Sequence, residues 1–296
     1  MSKKIRLLLI DPHPDDEIYF FGGTLAKYYK QNLEIYICLL TNGERGNITK
    51  FDINKKSFTT HQVKSTEEKW LGKTRQSECK KSLTALRILN YKIYSLNIPN
   101  LAVDEKSIPK IKNVISVVDP HIILSFNEAG TSRFTNQDHS WSGTATFIAL
   151  RDLINKKHTP KHFRRYMTYT LPDPSNYFDN YNDLNIDSKL YTKINVSNYI
   201  KFKLDACNKL KTQYHVTQYF KKVGLLNIKH ETYIERINLS SVSCMGKNDL
   251  LYGLDSPSKN INEINDYISI PMPLSINSYI GTHANVAQII IDRFKL

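Results

Sequence analysis

No uninterrupted apolar stretch in this chain approaches the about 18 residues that a membrane-spanning helix needs, which excludes a transmembrane protein. Cysteine is scarce. The four present (Cys38, Cys79, Cys207, Cys244) lie far apart with no paired spacing. That argues against a disulfide framework or a cysteine zinc site and fits a reducing, cytoplasmic compartment. The apolar run at 5–10 is too short for a secretory signal and flows straight into Asp11 and His13. No GxGxxG follows that run, and Gly22-Gly23 falls inside the next helical stretch, so a dinucleotide site of the usual kind is not expected. Internal repeats and low-complexity tracts are missing as well. Acidic residues are in deficit, 28 against 41 basic ones, for a net charge of +13. Such a balance suits phosphates, nucleic acid, anionic lipid or an acidic small substrate without choosing among them. No nucleic-acid reading module is recognisable, so nucleic acid is not an expected partner.

What is present is a globular chain of 296 residues, 41% apolar and 23% charged. Its first half alternates strand and helix signals. A continuous apolar strand is expected at 5–10, a helix at 18–30 with Phe21, Leu25 and Tyr28 on one face, and a strand at 33–40 stopped by Thr41-Asn42-Gly43. A helix at 74–89, a strand at 91–96, a helix ending before Asp119-Pro120 and a strand at 121–126 follow. A strand at 164–171 and a helix at 201–214 come later, and the pattern turns irregular beyond about residue 238. This order predicts an α/β fold: a Rossmann-like, doubly wound, mostly parallel sheet with helices on both faces. Ligands bind such sheets beyond the carboxyl ends of the strands. Residues 47–73 read as a long, polar, lysine-rich connection of the kind used as a lid or flexible segment.

The sharpest local feature is Asp11-Pro12-His13-Pro14-Asp15-Asp16-Glu17, at the first strand-to-helix turn. Carboxylates there can simply cap the helix and complement its dipole. Capping does not explain an imidazole fixed between two prolines. His13 and Asp16, three residues apart, have the spacing of a metal-ligand pair, although two ligands do not make a site. Of nine histidines, His13 and His139 are the two that follow expected parallel strands in polar segments. His121 starts a strand at the far sheet edge and reads as structural. His61, His158, His162, His215, His230 and His283 have no defensible partner at ligand spacing.

The segment His13-Pro14-Asp15-Asp16-Glu17, with Gly22-Gly23-Thr24-Leu25 after it, resembles the signature of the LmbE-like/PIG-L family of zinc-dependent N-acetylglucosamine deacetylases. Further motifs agree in order: Thr41-Asn42-Gly43-Glu44-Arg45-Gly46, the Arg-x-x-Glu of Arg75 and Glu78, the segment from Asn136 to His139, and the Lys203, Ala206, Thr212, Gln213 pattern. The resemblance spans roughly residues 3–237. It implies a deacetylase-type domain over 1–238, with 239–296 as an irregular extension packed on it.

By position, the resemblance implies His13, Asp16 and His139 as ligands of Zn2+ or another divalent transition metal, and Asp15 as general base. Asn136 stands where many members carry a histidine that helps stabilise the oxyanion; an amide can donate a hydrogen bond but cannot carry charge. Asp138 would orient a neighbouring side chain. Glu44 and Arg75 resemble positions facing the sugar, and Asn100 replaces an aspartate often found there. Arg45, Arg133 and the lysines of 47–73 could receive an anionic aglycone, or merely keep that segment solvated. The implied function is removal of acetyl from an N-acetylglucosamine-type sugar. An amidase on a larger sugar-linked amide and a catalytically silent carbohydrate- or nucleic-acid-binding protein are the alternatives, and homo-oligomerisation stays open.

Overall fold

A computed structural model describes residues 4–52, 56–100, 103–126, 137–170 and 191–258. In chain order the elements are β1 (Arg6–Asp11), α1 (Asp16–Tyr19), α2 (Gly22–Lys30), β2 (Glu34–Thr41), β3 (Asn47–Asp52), β4 (Ser57–Gln62) and α3 (Glu68–Ala85). Then come β5 (Tyr91–Ile98), α4 (Ser107–Val118), β6 (Ile122–Phe126), α5 (Gln137–Asn155), β7 (Arg165–Thr170), β8 (Thr192–Asn195), α6 (Ile200–Cys207), α7 (Tyr214–Lys222) and β9 (His230–Asn238).

One seven-stranded sheet runs in the order β5-β2-β1-β6-β7-β9-β8. The pairs among the first five of these strands are parallel, whereas β9 pairs antiparallel with both β7 and β8. The mostly parallel α/β architecture expected from the sequence is therefore observed. Alternation along β1 divides the core: Leu7 and Leu9 face one apolar cluster, Leu8 and Ile10 the other. The first cluster is closed by residues of α1, α2, α3 and α6, the second by α4 and α5. Because both faces are covered, β1 and β6 read as unbroken apolar runs. From β1 the chain winds outward to β2 and β5, then returns to lay β6 on β1's other side. The crevice at this reversal of winding is where open α/β sheets take ligands.

Three expectations changed form. The helix expected at 18–30 is two, because the carboxylate of Glu231 accepts the N–H groups of Gly23 (3.0 Å) and Thr24 (2.8 Å), giving α2 its own capped start. Val196 lies so close to this start that a β-carbon on Gly23 would sit 2.6 Å from the valine Cβ. The helix expected at 201–214 stops at Cys207, and a separate α7 begins at Tyr214. The stretch at 47–73 is not a bare connection: it holds the antiparallel hairpin β3–β4 and the start of α3.

Besides the hairpin, α7 and the short β8, two elements that escaped sequence reading bear on the site and its frame. The first, α5, follows β6 and carries His139 in its first turn. The second, β9, is buried along all but its first residue although it is rich in charged side chains. Its charges are paired: Glu231 with Lys203 at 2.9 Å, and Glu235 with Arg165 at 2.8 Å. Arg165 also donates to the carbonyls of Val242 (3.2 Å) and Tyr252 (3.0 Å), which ties residues 239–258 to the sheet. Cys244, Leu250 and Leu254 enter the first apolar cluster from that segment.

Candidate metal centre and its pocket

The turn after β1 is fixed by its own backbone and by β2. The His13 carbonyl accepts the N–H of Asp15 at 2.9 Å, while Thr41 at the end of β2 holds the Pro12 carbonyl through its N–H (2.9 Å) and hydroxyl (2.8 Å). The Asp16 carboxylate folds back to accept the His13 N–H at 3.1 Å, so the signature is one closed turn.

That closure leaves Asp16 between two imidazoles. Its Oδ2 lies 3.0 Å from His13 Nδ1 and its Oδ1 lies 3.0 Å from His139 Nε2, which α5 delivers from the β6 side of the switch point. Ligand atoms of His13, Asp16 and His139 all fall within 4.8 Å of one another, the only such metal-suited group among the described residues. All three side chains are buried. The other ring nitrogen of His13, Nε2, lies 3.1 Å from Asp138, whose second oxygen accepts the Val103 N–H at 3.2 Å. A carboxylate behind an imidazole fixes the ring's orientation and makes its free nitrogen a better donor to a cation. Two imidazoles and one carboxylate, with an outer carboxylate, are a donor set suited to a divalent metal ion.

Burial and pairing separate the acids of the turn. Burial works to raise Asp16, but the His139 and His13 imidazoles hold it well below the ordinary carboxylate range. Asp15, next in sequence, is moved the other way: burial raises it against the pull of Arg75, whose guanidinium lies 3.5 Å away. Burial, reinforced by Asp15, pushes Glu17 up to about 8, and Asp11 is raised by burial and Glu17. At neutral pH the turn therefore does not hold four buried negative charges.

Above this floor opens a pocket of about 550 Å³, within the range of small-ligand sites. His13, Asp15, Asp16 and His139 line it, as do Arg75, Asn100 and Arg45. Arg75 is positioned by the carbonyl of Gly43 at 2.8 Å. Gly43 has φ +63, and a β-carbon there would strike the guanidinium at 2.2 Å, so both conformation and space demand glycine. One turn on, Glu78 accepts the N–H (3.0 Å) and hydroxyl (2.6 Å) of Thr212. The Arg-x-x-Glu spacing thus puts one residue into the pocket and makes the other a clamp on the segment before α7. Glu44 does not line the pocket; it accepts the Asn100 N–H at 2.7 Å. Asn136 and Arg133 lie outside the described residues.

Sequence reasoning missed the far wall. Asn47 and Gln62, at the base of the hairpin, face the pocket, as do Gln213, His215, Val216 and Phe220 at and in α7. The sequence assigns His215 no role; its one available signal is the Thr212-Gln213 pair just before it.

Residues 8–150 match the family described as PIG-L: GlcNAc-PI de-N-acetylase. The match covers just under half of the chain. The resemblance drawn from the His13–Glu17 signature is borne out. The chain is 25% identical over 234 residues to a probable N-acetyl-alpha-D-glucosaminyl L-malate deacetylase 2 of Bacillus anthracis, covering 78% of this chain and 89% of that one. A shorter match, 32% identical over 83 residues, is to a 1D-myo-inositol 2-acetamido-2-deoxy-alpha-D-glucopyranoside deacetylase of Saccharopolyspora erythraea, covering 28% of this chain and 25% of that one. Among solved structures, 78% of this chain shares a fold with 83% of N,N'-diacetylchitobiose deacetylase from Pyrococcus horikoshii (TM-score 0.56, 15% identity). The chain shares it equally with GalB, the 4-carboxy-2-hydroxymuconate hydratase of Pseudomonas putida (TM-score 0.58, 14% identity, 81% and 99%). Two chemistries on one fold leave the argument for function to the site.

Proposed function

We propose that this chain is a metal-dependent hydrolase that removes the acetyl group from an N-acetylglucosamine-type sugar or glycoconjugate. The observation that carries the reading is a buried His13–Asp16–His139 donor set with a second carboxylate, Asp15, beside it on the floor of a sugar-sized pocket. The named deacetylase of Bacillus anthracis, matched along most of its length, supports the same substrate class.

Zinc is the resident ion that this set fits best, since hydrolytic zinc sites use three such protein ligands and keep a further position open. A bound ion of this kind supplies Lewis acidity to water and to the amide carbonyl. The proton work falls to Asp15. Its carboxylate takes a proton from the attacking water as the water oxygen joins the acetyl carbon. As the acid, it returns that proton to the sugar nitrogen when the C–N bond breaks, and the acetic acid so formed gives up its remaining proton, so that the products at neutral pH are acetate and the protonated amine. A carboxyl raised by burial is better matched to that two-way role than an ordinary aspartate. Asp138 holds the His13 ring. Arg75 holds Asp15 and, with Asn100, meets the sugar; Glu44 acts through the Asn100 backbone. Asn136 is assigned as an amide donor to the developing oxyanion and Arg133 as a contact for an anionic aglycone, both on the sequence resemblance. Four free, buried thiols suit a cytoplasmic setting.

The test is acetate release from a panel of N-acetylated amino sugars by metal-loaded protein, with elemental analysis of wild type, His13→Ala and His139→Ala. About one ion per chain, lost in both variants, and chelator-sensitive acetate release are expected. Full occupancy in both variants rejects the ligand set. Metal-loaded wild type that releases no acetate from any sugar rejects the hydrolase in favour of a silent binder.

A further inference from the structure

Three consecutive residues at the start of α7 each engage the β3–β4 hairpin. Gln213 donates its amide to the Asn47 carbonyl at 3.0 Å. Tyr214 stacks on Phe58, ring centroids 3.9 Å apart and planes at 21°. His215 donates its backbone N–H to the Thr49 hydroxyl oxygen at 3.2 Å, and its ring Nδ1 lies 2.7 Å from the same oxygen. The hairpin register explains why these partners line up. Thr49 is paired with Thr60, and Asn47 with Gln62, so their side chains share the face turned to α7 and the pocket. Ile48, on the opposite face, is buried. A free lid would not be bonded in this way; the hairpin is a bracket, and what it holds in the pocket is an imidazole.

We propose that His215 is a substrate-contacting residue, held by Thr49 so that its Nε2–H donates a hydrogen bond to a carbonyl or hydroxyl oxygen of the bound N-acetylated amino sugar. The inference rests on the sugar-hydrolase reading of this pocket and deepens it by naming a determinant of substrate recognition. The hydroxyl of Thr49 has one proton and two lone pairs. It accepts the His215 N–H, and the proposal turns its proton to Nδ1, with the Thr60 hydroxyl, 3.3 Å away, donating into the second lone pair. In that arrangement the ring carries its hydrogen on Nε2, the tautomer that the proposal requires. Nothing among the described residues bonds Nε2, and the ring lines the pocket that holds His13, Asp15, Asp16 and His139. Burial, helped by Arg75, keeps the imidazole below its ordinary pKa and hence neutral. A neutral donor recognises an oxygen and does not compete with Arg75 for an anion. The hairpin therefore sets specificity at second hand, by fixing the ring.

Two readouts separate this inference from the reading beneath it. In the first, 15N-labelled, metal-loaded protein is titrated with N-acetylglucosamine while the His215 ring nitrogens, assigned by their loss in His215→Gln, are followed by NMR. An Nε2–H tautomer in the free protein and a saturable shift on titration are expected; a ring that stays still at saturating sugar overturns the contact whatever the turnover. In the second, kcat and KM for acetate release are compared. His215→Ala should raise KM about tenfold, the scale of one lost hydrogen bond, with kcat little changed and metal content intact. His215→Gln keeps an amide donor and recovers part of the loss. Thr49→Val, which frees the ring, moves KM in the same direction by less. An active wild type whose His215→Ala variant keeps its KM within about twofold overturns the proposal. A wild type that turns over no sugar while its His215 ring still responds to sugar rejects the hydrolase and leaves the contact standing.

Discussion

The floor of the pocket comes from two short stretches, residues 11–17 and 137–140, whereas its far wall joins a hairpin at 47–62 to a helix start at 213–216. On the floor nearly every chemical group is buried and tied to a neighbour in the same turn or across one strand pair: Asp16 to His13 and His139, and His13 to Asp138. On the wall the hydrogen-bonding groups carry no formal charge and range from the half-buried His215 to the buried Thr49 and Gln213, beside the apolar Val216 and Phe220, and Thr49 is tied to His215 across 166 residues. The floor concentrates charges whose ionisation is set by burial, and the wall offers neutral hydrogen-bonding groups. Catalytic proton transfer is favoured by the first kind of surroundings, because burial, nearby charges and hydrogen bonds together move a carboxyl out of its ordinary range. Recognition of hydroxyls and carbonyls needs only directed donors and acceptors, which a bracketed surface supplies without buried charge.

The comparison is sharpest at Asp15. If the floor does the chemistry, Asp15→Asn should retain its metal and lose about 100- to 10,000-fold in acetate release, the range for one general acid–base group. Arg75 would then lose its carboxylate partner, so the variant's fold is checked by thermal unfolding beside wild type. Activity within about tenfold of wild type, with metal bound, would move the proton work elsewhere and dissolve the division between floor and wall.

Asp138 tests the floor one layer out. It touches His13 at 3.1 Å and the Val103 backbone at 3.2 Å, so it orients a ligand without being one. Asp138→Ala is expected to weaken metal binding by about 10- to 100-fold, read by competition with a chromophoric chelator. Activity at saturating metal should recover most of the way. An unchanged affinity means that His13 is held by its turn alone, and that Asp138 serves Val103.

The same division decides what the sequence could disclose. The donor set is local: a turn of five residues fixes His13, Asp15 and Asp16, and His139 follows the next strand across the switch point, so residue type and position after a strand were enough. The sheet's parallel half is legible for a related reason, because strands covered on both faces become apolar runs. The wall breaks both rules. The stretch at 47–62 looks like solvated chain because the hairpin turns Thr49, Thr60 and Gln62 toward α7 and the pocket, leaving Ile48 as its buried apolar contact. Likewise β9 reads as polar because Glu231 and Glu235 are buried against Lys203 and Arg165, partners far away in sequence. Periodicity sees burial only when burial is apolar, and pairing over long sequence distances leaves no local trace.

The smallest expected effect bears on the wall's charge. The lysine-rich stretch invites the idea that it draws in anionic substrates, but two cations in and beside it are answered locally. Lys50 lies 3.0 Å from Glu67, with its ammonium 5.7 Å from the Trp70 ring centre, and Arg45 lies 3.4 Å from Glu68. By the hairpin's alternation Lys50 also points to the face away from Thr49, so it does not face the pocket. An exposed pair of this kind presents little net field to a ligand, and at about 0.15 M salt charges more than about 8 Å apart are largely screened. Lys50→Gln should therefore leave kcat/KM within about twofold for both a neutral and an anionic N-acetylglucosaminide, with parallel curves over a salt series. The informative failure is a loss confined to the anionic substrate that grows as salt is lowered. That result would show the wall recruiting ligands by charge as well as by directed hydrogen bonds, and would place the hairpin's solvent face, not only its pocket face, in the recognition of the aglycone.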